Sequence, residues 1–197
     1  SHSFRSASIG SRASKIDSSD RVVTVGGLNN IIKEQSHSAS VVGGEENSIL
    51  SNSIKSVIIG GDSSTIDGRN SVVLGGRYLD GSSFGEIIGG QYNTSYVPVD
   101  GNNWNINDKL FVLGNGTSNT SRSNAFVVNK DGTVEINEAY TLPNVDGAAN
   151  EVLQTDGAGT VSWASAGAST DDQNIDSLRL NGTILTTYIE SGASATI

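Results

Sequence analysis

The sequence predicts an all-β fold: a parallel β-solenoid, or β-roll, whose coils self-associate, followed by small β-hairpin modules. Three observations lead there. Glycine doublets recur with a period of about 15 residues, too short for a helix pair or a leucine-rich unit. A short run of Val, Ile or Leu precedes each doublet, and β-branched side chains suit a pleated surface. Composition is the third: there are 24 glycines and 2 prolines, with 35% hydrophobic and 17% charged residues. An ordinary soluble domain is roughly 45–50% apolar and about 25% charged. The missing bulk is Gly, Ser, Asn and Thr, which build turns and do not read as a charged disordered tail.

The repeat comes first along the chain. Doublets stand at Gly26-Gly27, Gly43-Gly44, Gly60-Gly61, Gly75-Gly76 and Gly89-Gly90, with a half-match at Gly10-Ser11. Counted from the first glycine, the spacings are 16, 17, 17, 15 and 14 residues. Four residues on comes Ser14, Asn30, Asn47, Ser64 or Asn93, and six residues on comes Ile16, Ile32, Ile49 or Ile66. Three features in phase mark a coil of two short strands and two corners. Glycine supplies the positive φ of each corner, and the Asn or Ser bonds the neighbouring backbone. Coils stacked at about 4.8 Å rise roughly 24 Å over five intervals.

Two apolar columns precede the doublets. One position back stand Val25, Val42, Ile59, Leu74 and Ile88; two positions back stand Thr24, Val41, Ile58, Val73 and Ile87. Adjacent strand residues point to opposite faces. One column lines the coil, and the other needs a cover that so thin a coil does not itself possess. An identical neighbour is the simplest cover, so the second column implies oligomerisation. The alternative is a wider solenoid holding both columns inside through a bulge. Val41, Val42, Ile58, Ile59, Val73, Leu74, Ile87 and Ile88 are therefore the candidates for coil core and subunit interface.

The rhythm Ser71-Val72-Val73-Leu74-Gly75-Gly76, with Asn or Ser and then Ile in the earlier copies, resembles the head repeats of trimeric autotransporter adhesins and related coils of bacteriophage tail fibres. The resemblance covers about residues 4–96. It implies a left-handed parallel β-roll with three chains about one axis, a homotrimer. The fifth copy departs from it, with Leu79 and Gly81 where Asn or Ser and Ile belong, and the roll is expected to loosen there.

Four regions follow: a β-roll over 1–96, a transition with further β coils over 97–137, a hairpin module over 138–165, and a further β module from 166 to 197. Residues 92–108 break the period and carry Tyr92, Tyr96, Pro98 and Trp104. Tyr92, Tyr96 and Trp104 form either an aromatic patch that stacks on a receptor glycan or a cap over the end of the solenoid, which such folds require; the cap is favoured. Residues 109–137 resume short strands around turns at Asn115-Gly116 and Asp131-Gly132, and resemble a segment common in phage and prophage fibre proteins. Residues 141–165 flank Asp156-Gly157-Ala158-Gly159, a glycine-rich hairpin turn, and resemble a recurrent module of tail fibres and large bacterial surface proteins. Pro143 and the stretch Ala164 to Thr170 are expected joints. Asn181-Gly182 and Ser191-Gly192 then predict a three-stranded meander. Ile197 falls in its third strand, and the polypeptide is expected to continue.

No residue pattern marks chemistry. There is no Cys, so neither a disulfide framework nor a thiolate metal site exists. His2 and His37 lack metal-ligand spacing. Glu45-Glu46 and Asp171-Asp172 are sequence neighbours in turns, whereas glycoside hydrolysis needs two carboxyls about 5–9.5 Å apart across a sugar. A net charge of −9 without a basic stripe argues against nucleic acid. No run of about 18 apolar residues suits a membrane, and the N-terminus lacks a basic-then-apolar leader. The expectation is a non-enzymatic fibre segment without a cofactor, in a phage tail fibre or phage-tail-like particle, which presents a host-receptor-binding tip. Its partners would be other tail or fibre proteins and a host surface glycan or protein, and its place a virion tail or a cell surface. The alternatives are a head segment of a bacterial surface adhesin and, third, a polysaccharide-cleaving tailspike.

Overall fold

The computed structural model describes residues 5–166, 175–189 and 194–196. Every element among them is a strand, and the first part is a parallel β-solenoid. Each coil supplies a longer and a shorter strand. In chain order they are β1 (Ala7–Ile9) and β2 (Lys15–Ile16), β3 (Val23–Val25) and β4 (Ile31–Ile32), β5 (Ser40–Val42) and β6 (Ser48–Ile49), β7 (Val57–Ile59) and β8 (Thr65–Ile66), and β9 (Val72–Leu74) and β10 (Asp80–Gly81). The longer strands pair in parallel, β1-β3-β5-β7-β9, and the shorter ones likewise, β2-β4-β6-β8-β10. Parallel bridges through Arg12, Leu28, Glu45, Asp62 and Arg77 tie the coils together beyond the glycine corner.

The corner follows from backbone sterics. Gly43 and Gly44 have φ of 73° and 78°, a region that costs other residues about 1–2 kcal/mol each. A Cβ on Gly44 would also lie 2.4 Å from the Gly61 carbonyl oxygen, so the second glycine is required by the next coil as well as by the turn. The polar residue four places on closes the corner. The Asn47 amide donates to the Gly60 and Gly61 carbonyls at 3.2 and 3.1 Å, and its Oδ1 accepts the Ser64 N–H at 3.1 Å. Asn47 receives the same service from Asn30 Oδ1 at 3.0 Å. Inside the coil lie Ile32, Ile49 and Ile66 from the short strands, facing Val41, Ile58, Val73 and Ile88 from the long ones.

A second polar stack was not anticipated. Ser19, Ser36 and Ser53 are buried and donate to the carbonyls of Lys33, Leu50 and Ile66 in the following coil. Small hydroxyl residues there turn the chain between the two strand rows while answering buried backbone acceptors.

Within the roll two expectations need correction. The fifth coil does not loosen: β10 pairs in register with β8, Leu79 is fully buried, and the space left by Gly81 is filled by the Ile88 side chain. The last doublet is also out of phase. Ile88 pairs with Val73, and Ile87 pairs with Val72. Ile88 therefore continues the inner column of Val41, Ile58 and Val73, and Ile87 faces outward.

The long-strand sheet continues beyond the coils. β11 (Ile87–Gln91) pairs in parallel with β12 (Lys109–Asn115), then β13 (Asn124–Asn129), β14 (Val134–Ile136) and β15 (Tyr140–Leu142) add as an antiparallel meander, making ten strands. The region expected to hold further coils folds back instead. The Asp131-Gly132 turn returns the chain within a few residues, too few for a parallel crossover, and its Asp131 carboxylate accepts the Thr133 N–H at 2.8 Å. Residue 138 lies inside this sheet and is no boundary of it.

The chain divides into two compact units, one of Ser1–Val145 with Thr155–Val161 and one of Asp146–Gln154 with Ser162–Ile197. β16 (Glu151–Thr155) and β17 (Val161–Ser165) form the predicted hairpin. At its tip the Asp156 carboxylate accepts the Ala158 and Thr160 N–H groups at 2.7 and 3.0 Å. In the second unit β18 (Ile175–Asn181), β19 (Ile184–Ile189) and β20 (Ser194–Thr196) form an antiparallel sheet. Asn181 pairs with Ile184, so the turn is Gly182-Thr183, one residue later than predicted, with Gly182 at φ 64° supplying its first corner. The expected Ser191-Gly192 turn, Ile197, Asp171-Asp172 and the core of the Ala164–Thr170 link lie outside the described residues.

Candidate interaction face and the capped end of the solenoid

Alternation along the long strands separates the two apolar columns. Thr24, Val41, Ile58, Val73 and Ile88 are buried in the coil, while Val25, Val42, Ile59 and Leu74 point out; Ile59 keeps 48% of its surface exposed. No bulge brings both columns inside. The outward residues form one face across the ten strands of the first unit. Ile9, Val25, Val42, Ile59 and Leu74 follow one another in register, Gly89 takes the next place, and Leu113 follows. Beside them run Val57, Val72, Ile87 and Phe111. The meander prolongs both columns: Phe126 lies opposite Leu113 and packs edge-on against Phe111 at 6.2 Å, and Ile136 and Tyr140 follow. Nine strand intervals make this strip about 43 Å long. Singly exposed apolar residues are ordinary on a protein surface, whereas a contiguous strip on this scale is not.

The three aromatics do not form one patch. Tyr92 is buried and stacked on Tyr78 at 5.1 Å and 9°. The Tyr96 hydroxyl accepts the Lys109 N–H at 3.2 Å, and the Lys109 ammonium stands 4.5 Å from its ring centroid. Only Trp104 is open, 56% exposed, with the Lys130 ammonium 5.2 Å from its ring centroid. The excursion between β11 and β12 is braced by its own carboxylates. Asp108 is buried and accepts the Val99 and Asp100 N–H groups at 2.6 and 3.0 Å. Asp100 accepts the Asn102 and Asn103 N–H groups, and the Asn103 amide bond above all holds its carboxyl below the usual range. The Arg69 N–H donates to the Gly101 carbonyl at 2.8 Å, tying the excursion to the solenoid.

Beneath this cover lies Glu86, fully buried. Its Oε2 accepts the N–H groups of Ser82 and Ser83 at 2.9 and 3.0 Å, and its Oε1 meets no hydrogen-bond partner in the chain. Burial pushes its carboxyl up to about 7, against the opposing pull of those two N–H groups and of Lys109 and Lys130. The same burial, with the Glu86 charge second, raises the Tyr96 phenol, and burial lowers the Lys130 ammonium. Sequence reasoning missed Glu86, Asp108 and Lys130. The available signal was phase: Glu86 occupies the place that Val22, Ala39, Ser56 and Ser71 hold in earlier coils, all of them small or apolar.

The remaining candidates disperse. His37 accepts the Asp20 N–H on Nδ1 at 3.0 Å, and His2 lies outside the described residues. Glu45 and Glu46 sit at a glycine corner, and no group of three or more His, Cys, Asp or Glu could hold a metal ion among the described residues. A polar recess of about 310 Å³ beside β15 contains Glu135 and Glu138, whose carboxylates accept from the Asn129 amide and the Thr94 hydroxyl. No family model, curated protein or solved structure matches the chain.

Proposed function

We propose that this chain is a non-enzymatic structural segment of a homotrimeric fibre, of the phage-tail or phage-tail-like kind, that extends and holds a receptor-binding tip. The observation that supports this is the apolar strip from Ile9 through Ile59 and Leu74 to Leu113 and Ile136, which faces away from the chain's own core. A strip this long and narrow suits copies packed side by side along a common axis, and three about one axis bury it on every chain. Stacked coils held by carbonyl, Asn and Ser ladders supply stiffness, and threefold presentation turns weak receptor contacts into avidity. Of Tyr92, Tyr96 and Trp104, Trp104 is the one exposed enough to touch a receptor glycan or protein.

Sedimentation equilibrium of the isolated chain tests the reading. The expected mass is about three times 20.4 kDa. A folded monomer across micromolar concentrations overturns it, as does detectable release of reducing ends from a host surface polysaccharide.

A further inference from the structure

We propose that Glu86 is a proton-operated latch on the capped end of the solenoid: protonated, it lets residues 92–108 close down over the last coil, and ionised, it releases them. The inference concerns a single chain and stands apart from the assembly proposed above.

The geometry explains why the proton matters. Glu86 has no exposed surface, and its N–H donates back to Ser71 Oγ of the preceding coil at 3.3 Å. Its own turn occupies Oε2 with two N–H groups, so Oε1, the oxygen without a partner, is the one that takes the proton. Lys109 faces it from β12, Lys130 from the β13–β14 turn, and Tyr96 from the cap, while Asp108 and Asp100 of the cap act on Lys130. Neither lysine makes an ion pair with it. The Lys109 ammonium lies over Tyr96, and the Lys130 ammonium lies near Trp104 and donates to Ser83 Oγ at 3.4 Å. An ionised Glu86 is thus a buried charge with no counter-ion in contact and one oxygen without a donor, a state costly enough to drive rearrangement. Lifting the cap is the nearest relief, because it admits water to Oε1 without breaking the coil ladders behind it.

Linkage sets the size of the effect. Under the closed cap the carboxyl is pushed up to about 7, and in water it returns to its ordinary 4.5. Between those two values the closed-to-open ratio falls by up to about 300-fold as pH rises, and above about pH 7 it stays level.

Hydrogen exchange on the full chain, expressed as protection factors so that intrinsic pH effects cancel, tests this. The reporters are the amides that hold the cap: Val99 and Asp100 on Asp108, and Arg69 on Gly101. Their protection should fall by one to two orders of magnitude between pH 5 and pH 8. The Leu50 amide, bonded to Ile66 within the coils, should hold constant. In Glu86→Gln the cap amides should stay protected at both values. The carboxyl resonance of Glu86 in the unaltered protein gives a reading that needs no variant, with an expected midpoint near 7. A midpoint near 4.5, or cap protection unchanged while the carboxyl titrates, overturns the latch.

Discussion

The sharpest test of the architecture compares aspartate at two adjacent positions. Ile58 is fully buried in the coil and Ile59 is 48% exposed on the outer face. Ile58→Asp removes a buried aliphatic side chain, a loss of about 2–5 kcal/mol on truncation alone. It also leaves a carboxylate among Val41, Val73, Ile49 and Ile66, at a further cost of several kcal/mol. Together these losses are comparable with the whole reserve of a domain of this size, about 5–15 kcal/mol, and the coils stacked on either side are disrupted too. Ile59→Asp forfeits only the buried half of its side chain, about 1 kcal/mol in the isolated chain. In a trimer packed on this face, three carboxylates converge. At a separation of about 6 Å and an effective dielectric of about 20, each pair repels by about 3 kcal/mol, or about 8 kcal/mol per trimer. Urea denaturation and sedimentation equilibrium on both variants separate the outcomes. Ile58→Asp should lose the cooperative transition, and Ile59→Asp should keep its strands and sediment as a monomer. Equal tolerance of the two changes would refute the solenoid, and a trimeric Ile59→Asp would refute the packing face.

Alanine at the two glycines of one corner should differ in cost. Gly43→Ala meets open space and pays only the left-handed penalty, about 1 kcal/mol, whereas Gly44→Ala collides with the Gly61 carbonyl oxygen and should cost roughly 3 kcal/mol, both read from urea midpoints. Asn47→Ala strands the Ser64 N–H and the Gly60 carbonyl, and leaves the Gly61 carbonyl with the Glu45 N–H alone, so a loss of about 2–3 kcal/mol is expected; a neutral result would mean the ladder is ornamental. The folded state holds the Glu86 proton more tightly than the unfolded chain does. Its stabilisation is therefore fully present below pH 4.5 and lost as pH rises to about 7, an amount of about 3 kcal/mol. The melting temperature should drop from pH 5 to pH 8 in the native chain and not in Glu86→Gln. Limited proteolysis should spare residues 40–75, and a first cut within them would contradict the ladder.

Much of this molecule is legible in the linear chain because a solenoid makes sequence neighbours into coil neighbours at a fixed stride. The glycine phase placed the corners, and Ile32, Ile49 and Ile66 declared themselves as core by recurring six residues later. Position-by-position recurrence also exposed two apolar columns. It did not say which one the coil encloses, since strand alternation fixes only that the two point opposite ways. Only the closed coil shows that Ile58 goes in and Ile59 goes out. Counting from glycines also failed where the last doublet slips against its strand, and pairing with Val73 shows that Ile88 is the inner residue.

The capped end was the least legible part. Glu86, Asp108 and Lys130 come from three separate elements, and nothing in their local sequence announces burial; only the folding of residues 92–108 across the last coil takes them from water and brings them together. The continuation of the apolar strip through Phe111, Phe126 and Ile136 has the same origin, because it depends on register between strands that the chain alone does not reveal. An all-β chain with a repeated coil, its corner chemistry and its surplus of apolar strand surface can be read from the residues alone, since these follow from local sterics and period. Tertiary structure decided which surface is left over and which ionisable groups lie beneath the cap, since burial depends on residues distant in sequence.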